Sequence, residues 1–382
     1  MSRPRSQQLD QETPPPGPSA GAAPALWGYA AVRAVGMAVL AVAAAVAGKD
    51  GLHRLNGRWD SVWYVRIAEH GYGHEVRLPD GGVHSDLAFF PLLPALERGL
   101  SAVLPIGAAN AGLAVSWTAA LAAAWGIHAV GARVAGRRAG AVLAVLWGVY
   151  PTAFVQSMAY TETLFTALAA WSLYAVLRGR WITAGALCVL AGLTRPSAAA
   201  LIAAIGVTAI VTVVKERRAP VRMVAGVLLA PLGWLGYVVF VAVVEGGPTA
   251  YFDVQAAWGN SIDGGVALAR FVWRTLTGPA PLAGVGLCAA LALVGWVVWL
   301  CVRQRQPLPV LVYTLAVVAI SLVGAAYFGS RPRLMMPAFP LLLPAAVALA
   351  RLRDRTLVLV LAALALASGA YGAFTLLGPG PP

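Results

Sequence analysis

The chain has 382 residues, of which 59% are hydrophobic and only 11% charged, with a mean hydropathy of +0.74. A water-soluble domain of this length needs more charge to cover its surface, so the composition excludes that class and points to a protein that shares its core with lipid. The net charge of +13 comes in short clusters between apolar runs rather than along one face, which argues for membrane topology and against nucleic acid.

Residues 1–25 are polar and then rich in proline, glycine and alanine, and read as a disordered cytoplasmic tail. The membrane domain then runs over 26–377, leaving 378–382 as a short tail. Apolar runs able to cross about 30 Å of hydrocarbon as helices are predicted near Leu26–Ala47, Ala108–Val130, Ala139–Ser157, Thr161–Leu177, Trp181–Leu193, Ser197–Val214, Met223–Val244, Leu282–Val302, Leu308–Phe328, Leu334–Ala350 and Leu357–Leu377. The fold class is therefore all-α, a polytopic transmembrane helix bundle of about eleven spans.

With the N-terminus inside, the inner segments hold sixteen basic and four acidic residues, whereas the outer segments hold eleven of each. This asymmetry is what retention of arginine and lysine in cytoplasmic loops produces. Arg33, inside the first span, is expected to snorkel to the inner interface. The same pattern keeps Phe89–Leu104, with Pro91, Pro94, Glu97 and Arg98, on the outer side as an interfacial or re-entrant helix. It completes a long first outer loop over 48–107. Cys188, Cys288 and Cys301 lack metal-like or redox-like spacing and read as small apolar fillers.

Acidic side chains are scarce on the inner side and in the spans, so acid–base chemistry must draw on the outer surface. The first outer loop contains Arg58-Trp59-Asp60-Ser61-Val62-Trp63-Tyr64-Val65-Arg66-Ile67-Ala68-Glu69-His70-Gly71-Tyr72. Trp59, Trp63 and Ile67 fall at i, i+4 and i+8, which predicts a helix lying on the membrane and ending at Gly71. Asp60 opens this helix as an N-cap, a role compatible with catalysis because a cap fixes a carboxylate at a wet membrane surface. His53, His70, His74 and His84 share the loop with Glu75, Asp80 and Asp86. A divalent metal site is the alternative there to solvated polar side chains, but the one pair with ligand-like spacing, His70 and His74, straddles Gly71 and Gly73.

Glu162 falls in the first turn of the span after the Tyr150–Thr161 hairpin, where the helix dipole favours an anion. Arg195, Arg331 and Arg333 stand at outer helix ends, against the positive-inside trend. Their partner is either an anionic lipid headgroup or a substrate phosphate.

These segments resemble the PIG-V-like mannosyltransferases, membrane glycosyltransferases of the GT-C superfamily. The resemblance rests on Arg58-Trp59-Asp60 through Gly71-Tyr72, Ala88-Phe89-Phe90-Pro91-Leu92-Leu93-Pro94, Tyr150-Pro151-Thr152-Ala153-Phe154 through Phe165, Leu193-Thr194-Arg195-Pro196, Gln255 with Trp258 and Asn260, and Arg333 through Pro340. It implies a transferase using polyprenyl-phosphate mannose, with inversion at the sugar carbon and an extracytoplasmic site. Asp60 takes the place of the family's first-loop acid, and Thr161-Glu162 stands where the family usually has Ser-Glu.

On this reading Asp60 is the catalytic base, Arg195, Arg331 and Arg333 hold phosphate, and Trp59, Trp63, Tyr64, Glu162, Gln255, Trp258 and Asn260 complete substrate binding. No cofactor is required. The partners are a polyprenyl-phosphate sugar donor, membrane lipids and an acceptor that is a lipid, a glycan or a protein. The alternatives are a multi-span transporter or lipid flippase, whose polar sites would gather at mid-bilayer rather than at one rim, and a non-catalytic scaffold subunit.

Overall fold

The computed structural model describes residues 17, 19, 21–79, 81–325 and 327–380; most of the N-terminal tail predicted over 1–25 lies outside them. Within them the chain is almost wholly helical. In order, the helices are α1 Ala22–Val46, α2 His53–Asn56, α3 Asp60–His70, α4 Leu92–Val103, α5 Ala108–Ala135, α6 Arg137–Gly148, α7 Glu162–Leu177, α8 Trp181–Gly192, α9 Ala198–Glu216 and α10 Val221–Leu229. There follow α11 Leu232–Glu245, α12 Ala250–Ala257, α13 Val266–Thr277, α14 Pro281–Arg303, α15 Leu308–Val323, α16 Arg331–Met335, α17 Leu343–Leu349 and α18 Asp354–Leu377.

Among the described residues six helical stretches are long and apolar enough to cross a membrane: α1, α5, α9, α10 with α11, α14 and α18. A seventh arises if the pair flanking an 80° bend, Phe328–Met335 and Phe339–Leu349, counts as one broken span. The protein is a multi-pass membrane protein. Of the other expected spans, α7, α8 and α15 are apolar but have only 16, 12 and 16 residues. At 1.5 Å per residue these reach roughly 18–24 Å, short of the hydrocarbon thickness. The run expected over Ala139–Ser157 divides into α6, of 12 residues, and a 3-10 turn at Ala153–Ser157.

Close helix approaches use small residues, as expected where lipid removes the hydrophobic drive between helices. α1 runs against α18, and a Cβ placed on Gly369 would lie 3.1 Å from the Cα of Gly36. On α8, Gly185 abuts the backbone of Gly226 on α10. The main core gathers Trp147, Tyr160, Phe165, Tyr313 and Phe339.

The loop over residues 48–107, expected on the outer side, is more structured than its sequence suggests. Two short strands, β1 Glu75–Arg77 and β2 Val83–Ser85, pair antiparallel with Val76 opposite His84. α3 does not lie free on the membrane through a Trp59–Trp63–Ile67 stripe. It packs against α4 and α5 and buries Ser61, Tyr64, Ile67 and Ala68, because α4 folds back as a second layer. α4 in turn buries Leu93, Pro94 and Glu97. Separate small cores hold this region together, Tyr64–Ile67–Phe89–Leu93 and Leu87–Phe90–Tyr237–Tyr251.

Arg33 does not snorkel. It is the twelfth residue of the 25-residue α1, and its guanidinium donates inward to the Gly148 carbonyl at 3.3 Å and to Ser157 Oγ at 2.6 Å. Protein acceptors lie closer than the interface, and they hold the side chain in the bundle.

Candidate functional site

Four charged side chains from distant parts of the sequence meet beside the loop over residues 48–107. Asp60 begins α3, Glu162 begins α7, Arg195 follows α8 and Arg333 sits in α16. Arg333 Nη1 donates to Asp60 Oδ2 at 3.0 Å, and its Nε lies 3.4 Å from Glu162 Oε1. Arg195 Nη1 lies 2.5 Å from the same glutamate oxygen and donates to Thr161 Oγ1 at 3.2 Å. One arginine thus bridges two carboxylates, and one carboxylate bridges two arginines.

The two acids differ in access. The Asp60 side chain is 31% exposed whereas that of Glu162 is 1% exposed, with Arg195 and Arg333 at 11% and 12%. Glu162 is therefore the internal anchor of the pair of cations, and Asp60 is the carboxylate open to an incoming molecule.

Asp60 is not the cap expected from its position. The N-cap is Trp59, and no side chain caps the helix. The carboxylate is drawn instead to Arg333, since a charge-assisted hydrogen bond is roughly twice as strong as a neutral one. Trp59 has φ 54°, a sparsely populated conformation for a bulky residue that costs on the order of 1–3 kcal/mol. Two contacts hold this turn. Ser61 Oγ donates to the Arg58 carbonyl at 2.6 Å, and the Arg58 guanidinium stacks 4.0 Å from the Trp59 ring.

Tyr160 and Thr161 belong to this site although residue chemistry alone did not nominate them. The Asp60 backbone N–H donates to Tyr160 Oη at 3.2 Å, and Arg333 lies over the Tyr160 ring at 5.3 Å. Thr161 Oγ1 lies 3.3 Å from Tyr64 Oη, which joins α3 to Arg195. Their signals in the sequence are adjacency to Glu162 and a place in the Tyr150–Phe165 segment that carries the family resemblance.

The remaining predicted residues fall elsewhere. Arg331 is committed to the carbonyls of Ser321, Leu322 and Gly324 at 2.7–2.8 Å and makes none of the ion pairs. Trp63 stacks on Phe89 at 5.5 Å and meets Trp258 edge-on at 5.0 Å. Trp258 donates to the Ser85 carbonyl, Gln255 to that of Ala88, and Asn260 to Gln255. This group ties α12 to the loop that flanks α3.

The histidines do not gather. His84 stacks on Trp258 at 4.1 Å and His74 lies against Trp63, while Asp86 accepts backbone N–H groups of Gly73 and His74. Among the described residues no three His, Cys, Asp or Glu side chains converge on a possible metal position.

Residues 40–218 match the family described as Mannosyltransferase (PIG-V). Over this segment, somewhat under half of its length, the chain is similar to the PIG-V mannosyltransferases. The match covers Asp60, the Tyr160–Glu162 hairpin end and Arg195, three of the four places that form the charged cluster. A comparison with curated proteins finds no match.

Among solved structures, the fold of this chain is similar to that of ArnT from Cupriavidus metallidurans. The crystal structure of ArnT bound to undecaprenyl phosphate gives a TM-score of 0.53 at 17% identity, covering 85% of this chain and 60% of ArnT. The apo structure gives 0.50 at 17% identity, covering 77% and 54%. The chain thus spans about 60% of the ArnT length, and the likeness shows a shared fold.

Proposed function

We propose that this protein is a membrane glycosyltransferase that moves a mannosyl residue from polyprenyl-phosphate mannose to an acceptor hydroxyl on the outer face of the membrane. The observation that carries this reading is an open carboxylate, Asp60, held 3.0 Å from a guanidinium that also reaches the buried Glu162 beside Arg195. The PIG-V family match supports the sugar, and the ArnT relative bound to undecaprenyl phosphate supports the carrier class. The charge asymmetry of the loops supports the outer placement.

The transfer breaks the bond between the sugar C1 and the phosphate oxygen and forms one between C1 and the acceptor oxygen. Phosphate is already a good leaving group, so the site must supply a base for the acceptor proton and cations for the departing charge. In this reading the donor phosphate competes with Asp60 for Arg333, opening the ion pair and freeing the carboxylate to take the proton. Arg195 and Arg333 then hold the phosphate as planar forks suited to its oxygens, and Glu162 keeps both cations in register. Trp59, Trp63, Tyr64, Gln255, Trp258 and Asn260 form the walls along which carrier and acceptor approach.

The test is reconstitution of the purified protein in liposomes with labelled polyprenyl-phosphate mannose and a membrane extract as acceptor source. Donor consumption with label appearing on an acceptor is the expected result. Donor that stays intact, or that crosses the bilayer unchanged as a flippase would carry it, contradicts the reading.

A further inference from the structure

The candidate site rests on a buried polar layer that its chemistry does not use. Gln156 is 1% exposed, and its side-chain amide is fully engaged. Its Oε1 accepts from Tyr29 Oη at 2.9 Å, and its Nε2 donates to the Trp147 carbonyl at 2.7 Å and to Met336 Sδ at 3.4 Å. Trp147 Nε1 in turn donates to the Met336 carbonyl at 3.2 Å. Tyr29 stacks on Trp147 with ring centroids 5.5 Å apart.

These groups are together because helix ends need them. α6 stops inside the bundle at Gly148, leaving its last carbonyls without helical partners, and the 80° break after α16 frees the carbonyl of Met336. In an apolar interior each unpaired polar group is costly. Gln156 and Arg33 supply donors to the Trp147 and Gly148 carbonyls, and the Trp147 indole supplies one to Met336.

The connectivity has a consequence for the charged cluster. Gln156 lies six residues before Glu162 and Met336 three residues after Arg333 in the chain. One amide therefore ties the hairpin that presents Glu162 to the break that presents Arg333. We infer that Gln156 is a positioning residue, which sets the register of Arg333 against Glu162 and Asp60. Its effect on turnover rests on the transferase reading above; its effect on geometry does not.

The experiment separates the two. With the native cysteines replaced by alanine, spin labels at V62C and L334C report the separation of α3 and α16. The distance distribution is expected to be narrow in the parent and broadened or shifted in both Q156L and Y29F, the second of which removes one hydrogen bond while keeping the ring. Unchanged distributions in the variants overturn the proposal. In the transfer assay, Q156L is expected to lower kcat about 10–100-fold, the scale of an ångström-sized misplacement, with a smaller change in KM. In an R333K background the same substitution should add little, because Gln156 acts through Arg333. An equal loss in both backgrounds overturns positioning through Arg333 and leaves a purely structural role. A parent that consumes no donor, together with broadened distances, sinks the transferase reading while the positioning role stands.

Discussion

Asp60 and Glu162 share Arg333 and yet carry different loads. Glu162 is buried between two guanidiniums, so E162Q leaves two nearly buried cations short of their anion and is expected to cost about 3–5 kcal/mol, seen as a lowered midpoint of thermal unfolding in detergent. D60N removes a partly exposed partner and should stay within about 1 kcal/mol of the parent. Glu97 makes a separate case. It is fully buried in α4 against Gly112, and neither carboxyl oxygen has a hydrogen-bond partner among the described residues. Burial, and secondarily Glu69, pushes its pKa up from 4.5 to about 9. The folded state therefore holds a proton that the unfolded chain releases near pH 4.5, and this contribution to stability fades as pH rises from there to about 9. E97Q is expected to flatten that decline, so its unfolding midpoint should exceed the parent's at pH 8.5 and approach it at pH 5. At this scale the sequence exposed the residues but not their partners. Asp60 reads as a cap because its neighbours are visible and Arg333, 273 positions away, is not. Arg331 and Arg333 are indistinguishable by spacing, and only packing turns one toward backbone carbonyls and the other toward the carboxylates.

Helices that rest on long apolar runs, α1, α5, α9, α14 and α18, were legible because hydropathy is a local property. The short ones were not delimited by it. The run from Leu334 to Ala350 contains Pro337, Pro340 and Pro344, and the structure breaks there by 80°, as loss of amide donors and ring clashes require. That break frees the Met336 carbonyl and follows directly on Arg333, so the interruption builds the site rather than merely spoiling a span. The β1–β2 hairpin was not expected from an all-α reading, since three-residue strands fall below the length at which alternation becomes a signal. Close packing of α8 on α10 depends on Gly185 and Gly226 meeting without side chains. G226L is expected to force these helices apart and to lower stability by about 1–3 kcal/mol, measurable as a lower unfolding midpoint, whereas the same substitution at the unencumbered Gly236 should be nearly neutral.

For the molecule as a whole, composition established the solvent and the loop charges suggested the sidedness, while the relative placement of α3, α7, α8 and α16 came only with the fold. That placement joins residues 60, 162, 195 and 333 into one charged cluster beside the loop over residues 48–107, within a fold shared with ArnT. It makes a single carboxylate decisive: Asp60 is the open acid, and the arginine it pairs with is the one a phosphate would claim. The decisive measurement is the initial rate of mannose transfer from labelled polyprenyl-phosphate mannose by D60N and by the parent, at equal amounts of folded protein in the same liposomes. Loss of a positioned base lowers the rate by about 100-fold to 10,000-fold, with the variant still inserted and as stable as the parent. A D60N protein that turns over at the parental rate would remove Asp60 from the chemistry and contradict the mechanism built on it.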